Sequence, residues 1–377
     1  MLFYMINLRT TPLLLVLVTA LVSGCASRQP LDSGAAGDSQ QRSDKSHAAA
    51  IQKASFQPAT LYALLVAELA AQRGLPRVTL HNYLQEAERT RDPGIIKRAV
   101  RIAGQLRDTR SMLKASMLWA EVEPDNPMPF RIATRELIRR GAVKQALPML
   151  EKALSLNSVE VVDALATRAQ KMDMNERQSY LTLLDKMLDQ YPDEAHLLYA
   201  KASLVVYQDE LAQALLLTQK ALDSSPEFDR AILLEADLQS RTGHLDTALG
   251  HLREELGQRD HKQMRTLYTR LLLEKKQFPL ADQQGQLLAS QHPRDFNLLF
   301  YLGVLMLEHG RLDSSESYFS QLSKAIGENS ALNYYHGRIA QLRDQREQAL
   351  NFYLKVGEDP YFLASFTEIT RILDASE

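Results

Sequence analysis

A small residue recurs in this sequence about every 34 positions, and this long period constrains the fold more than any other feature. The eight occurrences are Ala115, Ala146, Tyr180, Ala214, Ala248, Ala281, Ser315 and Ala349, of which only Tyr180 is large. Such a period indicates one supersecondary unit repeated along the chain, each unit burying its apolar face against its neighbours. The apolar residues in between follow helical spacing without strand-like alternation, so the sequence predicts an all-α fold.

Other positions of the unit fit a pair of antiparallel helices. Twelve residues earlier the side chain is again mostly small, which allows two helices to cross closely. These residues are Ala103, Thr134, Arg168, Ala202, Ala236, Thr269, Gly303 and Gly337. Arg168 is the clear departure. A large side chain is expected four residues after the recurring position, where Thr218 and Gly285 are the weak cases. Gly285 offers no side chain and costs a helix interior about 1 kcal/mol relative to alanine.

A turn between the two helices is predicted five residues before the recurring position. The residues there are Arg110, Gly141, Asn175, Asp209, Gly243, Lys276, Gly310 and Asp344. Most of these residue types favour turns, because glycine, asparagine and aspartate tolerate the left-handed backbone conformation.

This pattern resembles the tetratricopeptide repeat over about residues 60–360. One unit shows it best, through Leu299, Leu302, Gly303, Met306, Gly310, Ser315, Phe319 and Leu322. The resemblance implies a superhelical solenoid of about eight to nine helical hairpins over 58–360, including a looser first pair at 61–92. A capping helix is expected over 361–377. The alternative is an irregular helical array unrelated to tetratricopeptide proteins.

The amino terminus reads as an export signal over residues 1–24. Arg9 and an apolar run from Leu13 to Val22 precede Cys25, and the run is too short to span a bilayer. The segment Val22-Ser23-Gly24-Cys25 resembles the lipobox of bacterial lipoproteins, which implies that the Cys25 thiol carries a diacylglyceryl group. An ordinary secretory signal with an incidental cysteine and an uncleaved membrane helix are the alternatives.

A flexible linker is predicted over residues 25–57, because this segment is rich in Ser, Gly, Ala, Asp and Gln and has few bulky apolar residues. Ala26 follows the lipidated cysteine. The sorting rule of enteric lipoproteins, which retains proteins with aspartate at that place in the inner membrane, then implies the periplasmic face of the outer membrane. A degraded helix is the alternative for the linker.

Charge and motifs argue against several functions. The chain has 44 basic and 46 acidic residues, so no overall positive charge favours nucleic acid. Cys25 is the only cysteine, and no phosphate loop or hydrolase motif occurs. His244, His251 and His261, near Asp260, lack the i, i+4 spacing of helical zinc ligands and are expected to be surface residues. We therefore expect neither an enzyme nor a bound cofactor, metal or small-molecule substrate.

A partner-binding groove is expected along the first helices of the hairpins, which line the concave side of such a solenoid. The candidate residues are Tyr199, Tyr207, Arg230, Leu233, Arg241, Phe300, Val304, Tyr334 and Arg338. Aromatic residues and arginines often carry interface binding energy. Packing between repeats is the alternative role for each of them.

Several segments are similar to a family of proteobacterial outer-membrane tetratricopeptide lipoproteins. They are residues 61–70, 72–74, 90–93 and 119–126, together with Tyr83. Members of that family include an adaptor that brings a periplasmic carboxy-terminal processing protease together with peptidoglycan hydrolases. The resemblance implies periplasmic protein partners of this kind. An assembly factor for a pilus or secretin ring, similar to tetratricopeptide pilotins, is the alternative function.

Overall fold

The computed structural model describes residues 57–374, and within this range the only regular secondary structure is helical, without strands. Nineteen α-helices are formed there. They are α1 Pro58–Gln72, α2 Pro76–Thr90, α3 Pro93–Gln105, α4 Thr109–Val122, α5 Pro127–Arg140, α6 Val143–Ser155, α7 Asp163–Arg168, α8 Met174–Gln190, α9 Ala195–Val205, α10 Leu211–Ser224, α11 Asp229–Arg241, α12 Leu245–Gln258, α13 Lys262–Glu274, α14 Phe278–Gln291, α15 Phe296–Glu308, α16 Leu312–Ile326, α17 Ser330–Leu342, α18 Arg346–Tyr353 and α19 Phe362–Asp374. The predicted signal peptide, Cys25 and nearly all of the predicted linker lie outside the described residues.

The helices pair in chain order into hairpins that stack on one another. Except at the short α7, an odd-numbered helix packs against the next even-numbered one, as α1 does on α2, and the second helix of a hairpin packs on the first helix of the next. The last hairpin, α17 with α18, is followed by α19, which packs against α18. The predicted all-α, tetratricopeptide-type solenoid is therefore confirmed for the described part of the chain.

Small side chains do mark the helix crossings. All eight residues of the recurring position are at most 1% exposed, including Tyr180. In the seventh full unit the Ser315 hydroxyl donates to the Gly303 carbonyl across the crossing at 2.7 Å. The Thr79 hydroxyl makes the same bond to the Ala67 carbonyl at 3.1 Å, again twelve residues apart. The first pair, which looked looser in sequence, thus has the same crossing as the later hairpins.

Two glycines at the crossing are explained by the aromatic rings that they face. A Cβ on Gly303 would lie 2.7 Å from the Phe319 ring, and one on Gly337 would lie 2.6 Å from the Tyr353 ring. Both rings are almost fully buried. Glycine at the earlier position and a large aromatic residue sixteen positions later therefore form one packing unit.

Gly285 does not leave the gap that the sequence suggested. The Tyr318 hydroxyl lies 2.7 Å and the Met306 methyl 3.0 Å from where its Cβ would stand. Side chains of the next hairpin fill the site. At the other weak position, Thr218 is fully buried and its hydroxyl donates to the Ala214 carbonyl at 2.8 Å.

The predicted turns are correct at six of eight positions, where the residue has a left-handed backbone with φ between 60° and 86°. Arg110 and Asn175 were predicted wrongly, since they lie in the first turns of α4 and α8. In both helices an aspartate cap makes the helix begin before the predicted turn position. The Asp108 carboxylate accepts the Ser111 amide at 3.1 Å, and the Asp173 carboxylate accepts the Glu176 amide at 2.8 Å. Such capping fixes where a helix begins.

The fourth hairpin, α7 with α8, is irregular at Arg168. Its first helix is divided into a 3-10 turn over Val159–Val162, the short α7, and a second 3-10 turn over Ala169–Lys171. The Arg168 guanidinium makes two bonds to Glu176, at 2.9 and 3.2 Å, and Glu176 is 7% exposed. A long charged side chain at the crossing therefore turns toward an acidic partner on α8, and the regular helix pair is lost.

Candidate protein-binding surface

The predicted groove residues lie on the first helices of four hairpins and one adjoining turn. Tyr199 is on α9, Tyr207 in the 3-10 turn after it, Arg230, Leu233 and Arg241 on α11, Phe300 and Val304 on α15, and Tyr334 and Arg338 on α17. We refer to the surface formed by these helices and α13 as the first-helix face. The described residues there differ in exposure, from the buried Tyr199 to the exposed Tyr207, Arg230 and Arg241.

One cluster on this face links three successive first helices. Asp163 on α7 is 6% exposed, and its carboxylate pairs with His196 on α9 at 3.0 Å and with Arg230 on α11. The hydrogen bond to Asp163 raises the pKa of His196 above its ordinary value. The predicted residue Arg230 therefore joins α11 to α7, two hairpins earlier in the chain, although much of its side chain remains exposed.

Aromatic packing fixes Tyr199 close to this cluster. The centroid of its ring lies 5.1 Å from that of the Phe228 ring. The His196 ring also contacts Phe228, at a centroid distance of 4.6 Å. Because Tyr199 is buried, its side chain packs beneath the surface and is not available to contact a partner.

A second aromatic cluster lies at the carboxy-terminal end of the face. Tyr334 and Tyr335 on α17 contact Tyr361 at centroid distances of 5.3 and 5.9 Å, and Phe300 on α15 lies 5.3 Å from Tyr335. Burial, together with the neighbouring tyrosines, raises the pKa of Tyr335 to about 12. The Arg338 guanidinium donates to the Tyr334 hydroxyl at 3.3 Å. These half-buried groups form an aromatic cluster at the carboxy-terminal end of the first-helix face.

An open depression of about 540 Å³ lies between α13 and α15, on the same face as the predicted residues Phe300 and Val304. Its lining residues are Lys262, Gln263, Thr266, Leu267, Arg270, Asp295, Asn297, Leu298 and Tyr301. None of these was predicted. The period could have found two of them, since Gln263 and Thr266 lie 33 residues after Arg230 and Leu233.

The charged groups around the depression already have partners. Lys262 pairs with Asp295 at 2.8 Å, and this bond lowers the pKa of the Asp295 carboxyl. Arg270 pairs with Asp237 at 2.6 Å and with Glu274 at 2.7 Å. An additional charged group would have to compete with these pairs, so the depression favours an uncharged occupant.

Uncharged polar groups stand beside these pairs. Gln263 and Asn297 occupy equivalent places on successive first helices and are exposed, and their side chains have no hydrogen-bond partner among residues 57–374. An amide side chain offers both donors and an acceptor, which match those of a peptide main chain. The ring of Tyr301, 40% exposed, and Leu267 supply apolar surface next to them.

The histidine group has local structural roles. His261 caps α13 by accepting the Met264 amide, and Asp260 pairs with Arg265. His251 lies 3.7 Å from the Glu235 carboxylate, whereas His244 precedes α12. In the described range no group of three or more metal-ligating side chains could hold an ion. No helix of that range is long and apolar enough to span a membrane.

The chain was compared with known protein families and with curated proteins. No family model matches the chain. A TPR repeat-containing protein of Pseudomonas aeruginosa is 34% identical over 257 residues, which make up 68% of this chain and 43% of that protein. The chain therefore spans less than half the length of the curated relative that it matches.

Two solved structures are similar to the chain at low sequence identity. A tetratricopeptide repeat protein from Parabacteroides merdae is 15% identical, with a TM-score of 0.45 over 74% of this chain and 98% of that one. PilW, a widely conserved type IV pilus biogenesis factor, is 14% identical, with a TM-score of 0.44 over 56% and 98%. With its hairpin array and this relative in sequence, the chain has a tetratricopeptide-type helical-repeat fold.

Proposed function

We propose that this protein is a membrane-anchored scaffold that binds partner proteins along its first-helix face. The observation that carries the proposal is the depression between α13 and α15, where apolar surface and two unpaired amides lie together. Such a surface suits a peptide segment of a partner, because the two amides can hydrogen-bond the main chain of the peptide while the depression receives one of its side chains. A stack of rigid hairpins holds the site open without a preceding conformational change.

The finer proposal is an adaptor at the periplasmic face of the outer membrane. Lipidation of Cys25 would fix the protein at the membrane, and the segment up to residue 57 would act as a tether. Partners held by an anchored protein meet at a raised effective concentration. The similarity of residues 61–70 and 119–126 to outer-membrane lipoproteins supports a carboxy-terminal processing protease and peptidoglycan hydrolases as the partners.

Site-specific crosslinking in cells tests both levels of this proposal. A photo-crosslinking amino acid replaces Tyr301, which borders the depression, and in a control chain it replaces Leu216 on the second helix α10. Both side chains are well exposed, at 40% and 53%. We expect a periplasmic protease or wall hydrolase to crosslink from position 301 and not from position 216.

Other outcomes separate the alternatives. A pilus or secretin component captured at position 301 would favour an assembly factor and exclude the protease adaptor. Crosslinks of equal strength from both positions, or none from either, would show that the first-helix face is not the binding surface.

A further inference from the structure

One edge of the array is basic over its first three hairpins. This edge is formed by the turns within the hairpins, where each first helix ends and its second helix begins. The Arg140 guanidinium donates to the Thr109 hydroxyl at 3.2 Å, so the turns of the second and third hairpins adjoin. Six exposed basic side chains lie at these turns and make no ion pair within residues 57–374. We call them the basic edge: Arg73, Arg77, Arg107, Arg110, Arg140 and Lys144.

The second residue of each second helix distinguishes this edge from the rest of the array. It is basic in the first three hairpins and acidic in three later ones. The residues are Arg77, Arg110 and Lys144 against Asp246, Asp313 and Glu347. The amino terminus of a helix stabilises an acidic side chain and disfavours a basic one. The first turns of α2, α4 and α6 contain no acidic residue. The basic residues therefore oppose the preference of the helices that carry them.

The acidic residues that neutralise this edge in later hairpins are missing from the first three. Lys275 pairs with Asp246 of the preceding hairpin at 2.8 Å. Arg140 occupies the place of Lys275, directly before a left-handed turn residue, but the preceding second helix carries Arg110 where Asp246 would stand. Within the first three turns the only acidic residue is Asp108, whose carboxylate caps α4. The positive charge of the basic edge is therefore largely uncompensated.

Two exposed aliphatic side chains lie among the arginines of the first turn. Leu75 is 51% and Val78 43% exposed, and they alternate with Arg73 and Arg77 along the chain. This combination suits the interface of a bilayer, where aliphatic groups enter the acyl boundary and cations meet the phosphate groups. A folded partner would need acidic groups at the spacing of three successive hairpins, whereas lipid headgroups diffuse and match any spacing. The surface therefore favours a membrane over an acidic protein.

We propose that the basic edge rests on an anionic phospholipid surface, with Leu75 and Val78 in the interfacial layer. Salt screens the attraction between exposed charges. The contact therefore orients a protein that is held at the membrane by other means, and it does not hold the protein alone. The helices α1, α3 and α5 would stand with their carboxy-terminal ends toward the lipid. This association does not depend on what the first-helix face binds.

A fluorescent group on the edge tests the contact directly. In full-length chains with Cys25→Ser, an environment-sensitive fluorophore is attached to Val78→Cys or, as the control, to Leu216→Cys on α10. Vesicles consist of phosphatidylcholine, with or without phosphatidylglycerol. At low ionic strength we expect a blue shift at position 78 that requires phosphatidylglycerol and is reversed by salt, and none at position 216. An equal shift at both positions, or with both kinds of vesicle, overturns the proposal.

Charge reversal identifies the residues that make the contact. Arg110→Glu with Lys144→Glu should weaken the binding of phosphatidylglycerol vesicles, titrated by the fluorescence at position 78, by at least about tenfold. Arg135→Glu with Lys152→Glu is the matched control. It changes the net charge equally, and these two residues lie outside the turns and make no ion pair within the described range. All chains share one amino terminus, so their differences report on the edge.

The remaining outcomes count against the proposal. Equal losses in the two double variants would show that only total charge matters. Soluble polyglutamate that binds the unsubstituted edge more tightly than the vesicles do would assign this surface to an acidic protein and exclude the lipid contact.

Discussion

At the scale of single residues, the two glycines that face aromatic rings carry a packing requirement. Helix propensity alone favours alanine over glycine by up to about 1 kcal/mol in a helix interior. At Gly303 this preference is opposed by the Phe319 ring, which occupies the place of a Cβ. At these crossings the pairing of a glycine with an aromatic residue sixteen positions later therefore predicts the stability of the array better than helix propensity does.

Gly303→Ala should destabilise the array, because the added methyl group would press on a buried ring. Overpacking costs about 1 to 3 kcal/mol, which exceeds the gain in helix propensity. Gly250→Ala is the matched control, since Gly250 lies inside α12 with open space at its Cβ position. We expect the urea midpoint to fall for the first variant and to rise slightly for the second. Equal shifts in both would show that ring packing does not matter.

The Asp163 cluster predicts how stability depends on pH. The pKa of His196 is raised in the folded protein by Asp163. The stabilisation is therefore complete below the ordinary histidine pKa of about 6.5 and is lost as the pH rises through the higher folded value. Thermal unfolding measured across this window should show a decrease in midpoint that His196→Gln reduces. An identical pH profile for the two proteins would contradict this role of the ion pair.

At the scale of elements, one ion pair joins the divided first helix of the fourth hairpin to α8. Arg168 satisfies the buried Glu176 on α8 and also donates to the Arg139 carbonyl at 3.3 Å. No other unit has a charged residue at the equivalent crossing position. The break in the array thus coincides with a charged side chain at the crossing.

Arg168→Ala should lower the free energy of unfolding by about 3 kcal/mol, the lower end for a broken buried pair, because Glu176 would stay buried without a partner. Glu176→Gln in the same chain should recover most of that loss, since a neutral amide is less costly to bury. Urea unfolding of both single variants and the double variant measures the coupling. Additive effects would mean that the two side chains act independently.

At the scale of the whole molecule, the proposed function depends on where the solenoid is held. The described hairpins bury apolar cores of their own. Lipid attachment would act on position alone, by keeping the first-helix face close to the membrane.

Cys25→Ser should release the protein from the membrane fraction into the periplasmic fraction while leaving its helical content unchanged. Cell fractionation and circular dichroism measure the two properties. In the same cells we expect weaker crosslinking of the partner from position 301. Continued membrane association of the Cys25→Ser chain would show that a lipid on this residue is not the anchor.

The sequence by itself determined the helical class, the 34-residue unit and the small residues at the crossings, since each is set by spacing within one or two hairpins. It also indicated the helices that form the first-helix face. Only the tertiary structure placed Asp163 against Arg230, 67 residues away, filled the site at Gly285 with Tyr318, and located the depression at Tyr301. These features depend on how far each hairpin rotates against the next, and that rotation is fixed by side-chain packing between units.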